Sequence, residues 1–326
     1  MVGFLEALAR HGTKILIGGL LIGLVWPDLA AAFRPAVAPC IFVMLTIVMM
    51  RVDIAAVWAQ LRRPWLLLAA QGWAMVALPL LLIASLAFWT PDPGLLLALI
   101  FWTSAAPLSS SPALSMLVGL DGAVSLGFLI AGVALYPLTT PIFTEIVAGD
   151  AIAISGFELA IRLIALIAGA ALAGWLGRRL LGPERRARHL GTMDGLNIIT
   201  LVIFAIGLMD GITAELLADP LHMMSLMALA FGLSLVANAL TLALFWRFGR
   251  RHAATFGFSN GARNIAIVIG ALGGQVPHET WLFFVSTQFP IYFLPMLLKP
   301  VYRRLVPDPA PVTYGTRRSA SRQSAR

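Results

Sequence analysis

The stretch LLLALIFWTSAAPLSSSPALSMLVGL, residues 95–120, is apolar enough to cross a membrane, yet prolines and serines lie at its centre. Pro107 and Pro112 lack the amide hydrogen that a helix requires and clash with the preceding turn, which disfavours one straight helix through both. A serine before Pro112 is typical of a helix start, because serine caps a helix and proline is favoured in its first turn. The stretch therefore predicts a membrane-spanning helix that is broken into two halves.

A second stretch, FGFSNGARNIAIVIGALGG at 256–274, is interrupted in a similar way. Ser-Asn-Gly at 259–261 combines capping side chains with a flexible glycine, and Arg263 and Asn264 follow before the apolar run resumes. Backbone groups that are freed at membrane depth need protein, water or substrate as partners. Both breaks are therefore expected to face a cavity.

The whole chain has the composition of a polytopic membrane protein. Of its 326 residues, 60% are hydrophobic and 12% are charged, and the mean hydropathy is +0.89. These values lie far outside the range of soluble globular domains. The net charge of +8 does not indicate a nucleic-acid partner, because the basic residues are spread between apolar segments.

Ten apolar segments are candidates for membrane-spanning helices in this all-α chain. They are residues 13–33, 35–50, 65–89, 95–118, 122–147, 156–177, 190–210, 221–246, 253–274 and 279–299. If successive segments cross the membrane in opposite directions, 20 of the 23 lysines and arginines lie on one side of it. Arg34 then lies on the other side, and Arg162 and Arg263 lie within segments. Because positively charged loops stay in the cytoplasm, we predict a multi-pass inner (plasma) membrane protein with both termini cytoplasmic.

The longest connection on the non-cytoplasmic side, near 148–155, divides the chain into two halves of five segments. Because five is odd, the second half must be inverted relative to the first, which is a common plan of secondary transporters. The halves are a first repeat at 1–147 and a second at 156–300, followed by a disordered cytoplasmic tail at 307–326. In both halves the fourth segment is the broken one, and matched breaks indicate a binding site.

We predict a substrate site between the two breaks. Its candidate side chains are Gln71, Ser109, Ser110, Ser111, Asn260, Arg263, Asn264 and Gln288. Polar residues in apolar segments also serve as interhelical hydrogen bonds, and this alternative applies to Gln71 and Gln288.

Arg263 has no acidic residue within one helical turn in the sequence. A charged side chain near the bilayer centre costs about 2.5 to 3.5 kcal/mol on insertion scales, so a partner is expected. The alternatives are backbone carbonyls of the broken fourth helix, an acid from elsewhere such as Asp194, and an anionic substrate. Arg162, in contrast, has Glu158 four residues earlier, which predicts a structural ion pair within one helix.

This arrangement resembles the bile acid:sodium symporter superfamily, which also includes arsenite-efflux and pantoate-type carriers. SAAPLSSSPALSMLVGLDGAVSL, at 104–126, is similar to the family's fourth helix running into the fifth, and SNGARNIAIVIGAL, at 259–272, to its ninth-helix motif. The resemblance implies ten helices in two inverted five-helix repeats, with discontinuous fourth and ninth helices that cross. It also implies transport by movement of a six-helix core against a four-helix panel.

The positions that match the family's sodium ligands are mostly substituted. By the resemblance, Ser259 replaces a glutamate and Arg263 replaces a glutamine. The other matching positions hold Pro112 and Ala113 in the fourth helix, Leu126 and Ile130 in the fifth, and a retained Gln71 in the third. Sodium is the coupling ion that the resemblance implies, but these substitutions predict a sodium-independent carrier without a cofactor. Arg263 would then do the electrostatic work of a sodium ion.

We expect a secondary transporter of a small organic anion, a monomer or homodimer in the lipid bilayer, and not an enzyme. All five histidines lie in loops or at segment ends, and no HExxH or serine–histidine arrangement occurs at membrane depth. One alternative is an arsenite-efflux permease, which would favour a cysteine or a compact polar site for a small neutral oxyacid. The single Cys40 lies in the second segment, away from the breaks. Others are a membrane sensor or receptor and an intramembrane enzyme.

Overall fold

The computed structural model describes residues 12–51, 64–148, 155–188 and 190–306, which form α-helices with short turns. In chain order the helices are α1 (Gly12–Val25), α2 (Pro27–Phe33), α3 (Val37–Arg51), α4 (Pro64–Gly72), α5 (Leu78–Ser85), α6 (Pro93–Ser104), α7 (Ser111–Leu117), α8 (Gly122–Ala148), α9 (Gly156–Arg188), α10 (Leu190–Leu208), α11 (Ile212–Ala218), α12 (Pro220–Phe245), α13 (Arg250–Gly261), α14 (Ala266–Ala271), α15 (His278–Ser286) and α16 (Gln288–Leu305). A π-helical turn, Trp73–Ala77, joins α4 to α5. The all-α architecture is confirmed for the described ranges.

Several helices are long and apolar enough to cross a membrane. Six qualify in the described part of the chain, or seven if the bent pair Gly195–Leu208 and Ile212–Ala218 is counted as one. The six are Pro27–Met50, Trp65–Ser85, Gly122–Val147, Gly156–Gly182, Pro220–Phe248 and His278–Leu305. By length and composition the chain is a multi-pass membrane protein. The count of ten and the two repeats stay predictions, and the predicted tail at 307–326 lies outside the described residues.

The predicted boundary between the first two segments is wrong. It lies at Trp26, where the backbone leaves the helical region (φ −124°, ψ 81°), and not near residue 34. Pro27 causes this, because it cannot donate a backbone hydrogen bond to α1 but fits the first turn of α2. The second span therefore runs from Pro27 to Met50, and Arg34 lies within it instead of in a connection.

Both predicted helix breaks are present. The first separates α6 from α7 at residues 105–110, and the second separates α13 from α14 at 262–265. Pro112 occupies the first turn of α7, as expected for a restarted helix. Ala105 and Ala262 have extended backbones, so each break is a short non-helical segment between two half-helices.

The helices pack in two groups. In the panel group, α10 packs against α1, α2 and α3, and α9 packs against α3. In the core group, α8 packs against α6, α7 and α13, while α12 packs against α13 and α15. The groups meet where α14 packs against α3 and α9, and where α8 runs beside α9. Both helix breaks belong to the core group.

Two glycines allow α13 to approach α12 closely. A Cβ atom on Gly257 would lie 2.8 Å from the carbonyl oxygen of Asn238, and one on Gly261 would lie 2.7 Å from that of Ser234. Such distances are too short for a carbon and a backbone oxygen, so small residues are required here, as at many helix contacts in membranes. This packing fixes α13, the half-helix that precedes the second break.

We predict that Gly257→Ala lowers the thermal unfolding midpoint of the detergent-purified protein. Overpacking of a tight contact typically costs about 1 to 3 kcal/mol. Gly232→Ala is the matched control, because Gly232 lies on α12 and a Cβ there meets nothing within 4 Å. An equal effect of both substitutions would contradict the packing argument.

Candidate functional site

The two helix breaks lie side by side and hydrogen-bond to each other, and we call this contact the crossing. The amide of Leu108 donates to the carbonyl of Ala262 at 2.8 Å, and the amide of Asn264 donates to the carbonyl of Ala106 at 2.9 Å. These two bonds form an antiparallel β-bridge between Pro107 and Arg263. The crossing therefore satisfies backbone groups that each break would otherwise leave unpaired at membrane depth.

Arg263 lies at this crossing and is 1% exposed. Its guanidinium donates to three backbone carbonyls: Nε to Asn260 at 2.9 Å, Nη1 to Ala105 at 2.6 Å and Nη2 to Ala74 at 2.7 Å. Its Cζ also lies 5.7 Å from the centre of the Trp102 ring. Arg263 thus connects both broken helices to the span that contains α4 and α5.

The partner carbonyls are free because their helical donors are missing or diverted. In a continuous helix the amide of Asn264 would bond to the Asn260 carbonyl, but here it bonds across the crossing. In the π-helical turn, the amide of Leu78 bonds to Trp73 instead of Ala74. The next residue, Pro79, has no amide hydrogen to offer Ala74. The planar guanidinium, with five donors in a fixed fork, replaces these missing donors.

Side chains of neighbouring helices hold the crossing in place. The Tyr136 hydroxyl on α8 donates to the Asn264 carbonyl at 3.2 Å, and the Asn264 side-chain amide donates to Ser109 Oγ at 2.9 Å. Gly132 allows α8 to pass close to the first break, since a Cβ atom there would lie 2.6 Å from Pro107 Cδ. The crossing is thus packed on one side by α8.

On another side the crossing borders a cavity of about 520 Å³ between the core and panel groups. Most of its wall is apolar, including Ile41, Leu45 and Leu129. Its polar or charged wall residues are Ser109, Ser110, Asn197, Arg263, Asn264, Gln288 and Tyr292. Five of these were predicted from the sequence: Ser109, Ser110, Arg263, Asn264 and Gln288. Pro112, Ala113 and Leu126, three of the positions that match family sodium ligands, also line the cavity.

Two polar wall residues were missed by the sequence reasoning. Tyr292 lies four residues after Gln288 on α16, so helical spacing from a candidate could have identified it. Asn197 lies on α10 in the panel group, and a single asparagine in an apolar run carries little signal. The cavity wall therefore contains polar groups from both helix groups.

The remaining sequence candidates lie behind the crossing. Ser125 on α8 bonds to Ser259 at 2.8 Å and to Ser111 at 3.2 Å. Asn260 donates to Thr241 Oγ1 at 2.7 Å. Gln71 donates to the Phe128 carbonyl. Like the partly exposed Ile130, none of these candidates lines the cavity.

Arg162 and Arg263, the two arginines that were predicted to lie within apolar segments, have different partners. Arg162 bonds to Glu158 one turn earlier at 3.1 Å and 2.6 Å, which confirms the predicted pair. For Arg263, the carbonyl alternative is the one that the geometry bears out, since Ala105 belongs to the first break. The side chain of Asp194 lies outside the described residues.

No protein-family model and no curated protein matches this chain. Among the described residues, no group of three or more His, Cys, Asp or Glu side chains is arranged to hold a metal ion. The function must therefore be argued from the crossing and its cavity.

We predict that Arg263→Gln lowers the unfolding midpoint far more than Arg162→Gln. Hydrogen bonds to a charged group contribute about 1.5 to 3 kcal/mol each, and truncation leaves buried carbonyls unpaired. Arg162 is the matched control, because it also lies in a membrane-spanning helix but is not buried. The side chains of Arg162 and its partner Glu158 are 43% and 46% exposed. Equal midpoints for the two variants would show that the three carbonyl bonds contribute no stability.

Proposed function

We propose that this chain is a secondary transporter of a small organic anion that works by alternating access, with the substrate bound in the cavity beside the crossing. The observation that carries the proposal is the charge of the wall. Of the described residues that line the cavity, Arg263 is the only charged one. A bound anion would therefore meet a positive potential with no described carboxylate opposing it.

The size and polarity of the cavity support a small organic ligand. Its volume of about 520 Å³ lies within the range of about 300 to 1,000 Å³ that is typical of small-molecule sites. Apolar side chains form most of the wall, and Ser109, Ser110, Asn264 and Gln288 offer hydrogen bonds near the crossing. An anionic head and an apolar body would both find partners.

Arg263 acts through its charge more than through direct contact. Three of its N–H groups are bonded to carbonyls and the side chain is 1% exposed. In this role Arg263 is a fixed cation at the site where two helices break. A carrier with such a cation does not need a sodium ion to coordinate the same carbonyl oxygens. This supports the sodium-independent alternative over a sodium-coupled symporter.

The position of Cys40 does not favour arsenite efflux. Cys40 is 6% exposed and is not part of the cavity wall. A thiol ligand for arsenite would have to face the substrate. The organic-anion proposal is therefore preferred over an arsenite-efflux-type permease.

We predict that organic carboxylates or sulfonates raise the unfolding midpoint of the detergent-purified protein equally in sodium and potassium buffers. A ligand that binds the folded state at 100 times its dissociation constant stabilises it by about 2.7 kcal/mol. Neutral amides of the same carbon skeletons are the ligand controls. Stabilisation that requires sodium, or that amides produce equally, would overturn the proposal.

Two variants test whether the anion that raises the unfolding midpoint binds in the cavity. Ser110→Leu should abolish the anion-dependent increase, because the added bulk fills the cavity beside the first break. Ser225→Leu is the control, since Ser225 is an exposed serine of α12 outside the cavity wall. An undiminished increase in Ser110→Leu would place the anion elsewhere.

A further inference from the structure

Several acidic residues lie close together at one end of the molecule, which we call the acidic end. Asp92 caps α6 and Asp219 caps α12. Glu279 lies 2.9 Å from His222, and Glu215 lies 3.2 Å from His278. These contacts join the start of α12, the start of α15 and the short α11 at this end.

None of the residues named at the acidic end lines the cavity beside the crossing. Its wall continues from the crossing to Met116 on α7 and Val48 on α3. Beyond α7, the amide of Asp121 bonds to Thr255, four residues after Arg251 at the start of α13. The cavity therefore extends toward the end that carries the arginines of α13, which we call the basic end.

At the acidic end the panel and core groups are in contact through Arg34. Its Nη1 donates to Asp210 at the end of α10, at 3.3 Å, so both members of this ion pair belong to the panel side. The Arg34 Cζ lies 3.3 Å from the centre of the Trp281 ring, on α15 in the core group. The Trp281 ring is 2% exposed, whereas the side chains of Arg34 and Asp210 are 29% and 31% exposed, so the guanidinium covers a buried ring at the edge of the contact between the groups.

The three side chains form one unit with separate roles. The carboxylate of Asp210 orients the guanidinium, and the Trp281 ring attracts it across the boundary between the groups. None of the three lines the cavity. Because they do not contact the proposed substrate, their position fits a contact that holds this end shut.

We infer that Arg34, Asp210 and Trp281 form a latch that closes the acidic end while the cavity extends toward the basic end. The inference rests on the proposed function, since only an alternating-access carrier needs to open each end in turn. Opening the acidic end would separate the short 3-10 turn Arg34–Ala36 from α15, which breaks the stacking of Arg34 on Trp281. The latch therefore sets how often the acidic end opens.

Cysteine accessibility in the full-length protein tests the latch. The reporter is Met44→Cys, a cavity-wall position, in a Cys40→Ala background, labelled with a membrane-impermeant maleimide from either side of oriented vesicles. Arg34→Gln should raise the labelling rate from the acidic-end side about threefold, as expected for loss of a partly exposed cation–π contact. Asp210→Asn should raise it less, because Arg34 can still stack on Trp281.

Arg162→Gln is the matched control, since Arg162 pairs with Glu158 on its own helix and bridges no groups. An unchanged rate in Arg34→Gln and Asp210→Asn, or the same increase in Arg162→Gln, would overturn the latch. Labelling is measured without substrate, so its result is independent of the transport assay. Faster labelling without any anion binding would retain the latch and refute the anion carrier, whereas anion binding with unchanged labelling would do the reverse.

Discussion

The fold depends on one guanidinium group that is buried in the helix bundle and bonded to three backbone carbonyls. Each helix break frees polar backbone groups where water is scarce, and each such group is expensive to leave unpaired. Arg263 pairs with carbonyls from both breaks and from the π-helical turn. Its own burial, about 2.5 to 3.5 kcal/mol on insertion scales, is offset by bonds of about 1.5 to 3 kcal/mol each. The arginine and the breaks therefore stabilise each other.

This pairing also links the fold to the proposed transport. Arg263 binds carbonyls at helix ends. In a sodium-driven carrier of the family that the sequence resembles, the coupling ion performs this task. A covalently attached cation cannot dissociate, so it cannot couple transport to an ion gradient. What remains is a permanent positive charge beside a cavity of about 520 Å³. Under the proposed function such a charge would favour anions, and the Arg34–Trp281 contact would regulate the opening of one end.

Local chemistry made some features predictable from the sequence and left others open. Both breaks could be predicted because prolines, serines and a glycine interrupt apolar segments. The pair of Arg162 with Glu158 could be predicted because the two residues are four positions apart in one helix. The partners of Arg263 could only be narrowed to three alternatives, because Ala74 and Ala105 are apolar residues that contribute backbone carbonyls. The boundary between the first two segments was placed near residue 34 although Trp26-Pro27-Asp28 interrupts the first segment, because apolar residues continue on both sides of this interruption. Asn197 was missed because its contribution depends on how the panel group packs against the core group.

Chemical rescue of an arginine-deletion variant tests most directly whether a fixed cation holds the crossing together. Arg263→Ala leaves a gap lined by the carbonyls of Ala74, Ala105 and Asn260. The account predicts that millimolar methylguanidinium raises the unfolding midpoint of this variant, whereas equal concentrations of potassium chloride or methylurea do not. Arg162→Ala and the unsubstituted protein should show no such increase. Equal responses of all three proteins to methylguanidinium would contradict the claim that the carbonyls at the breaks require a cation.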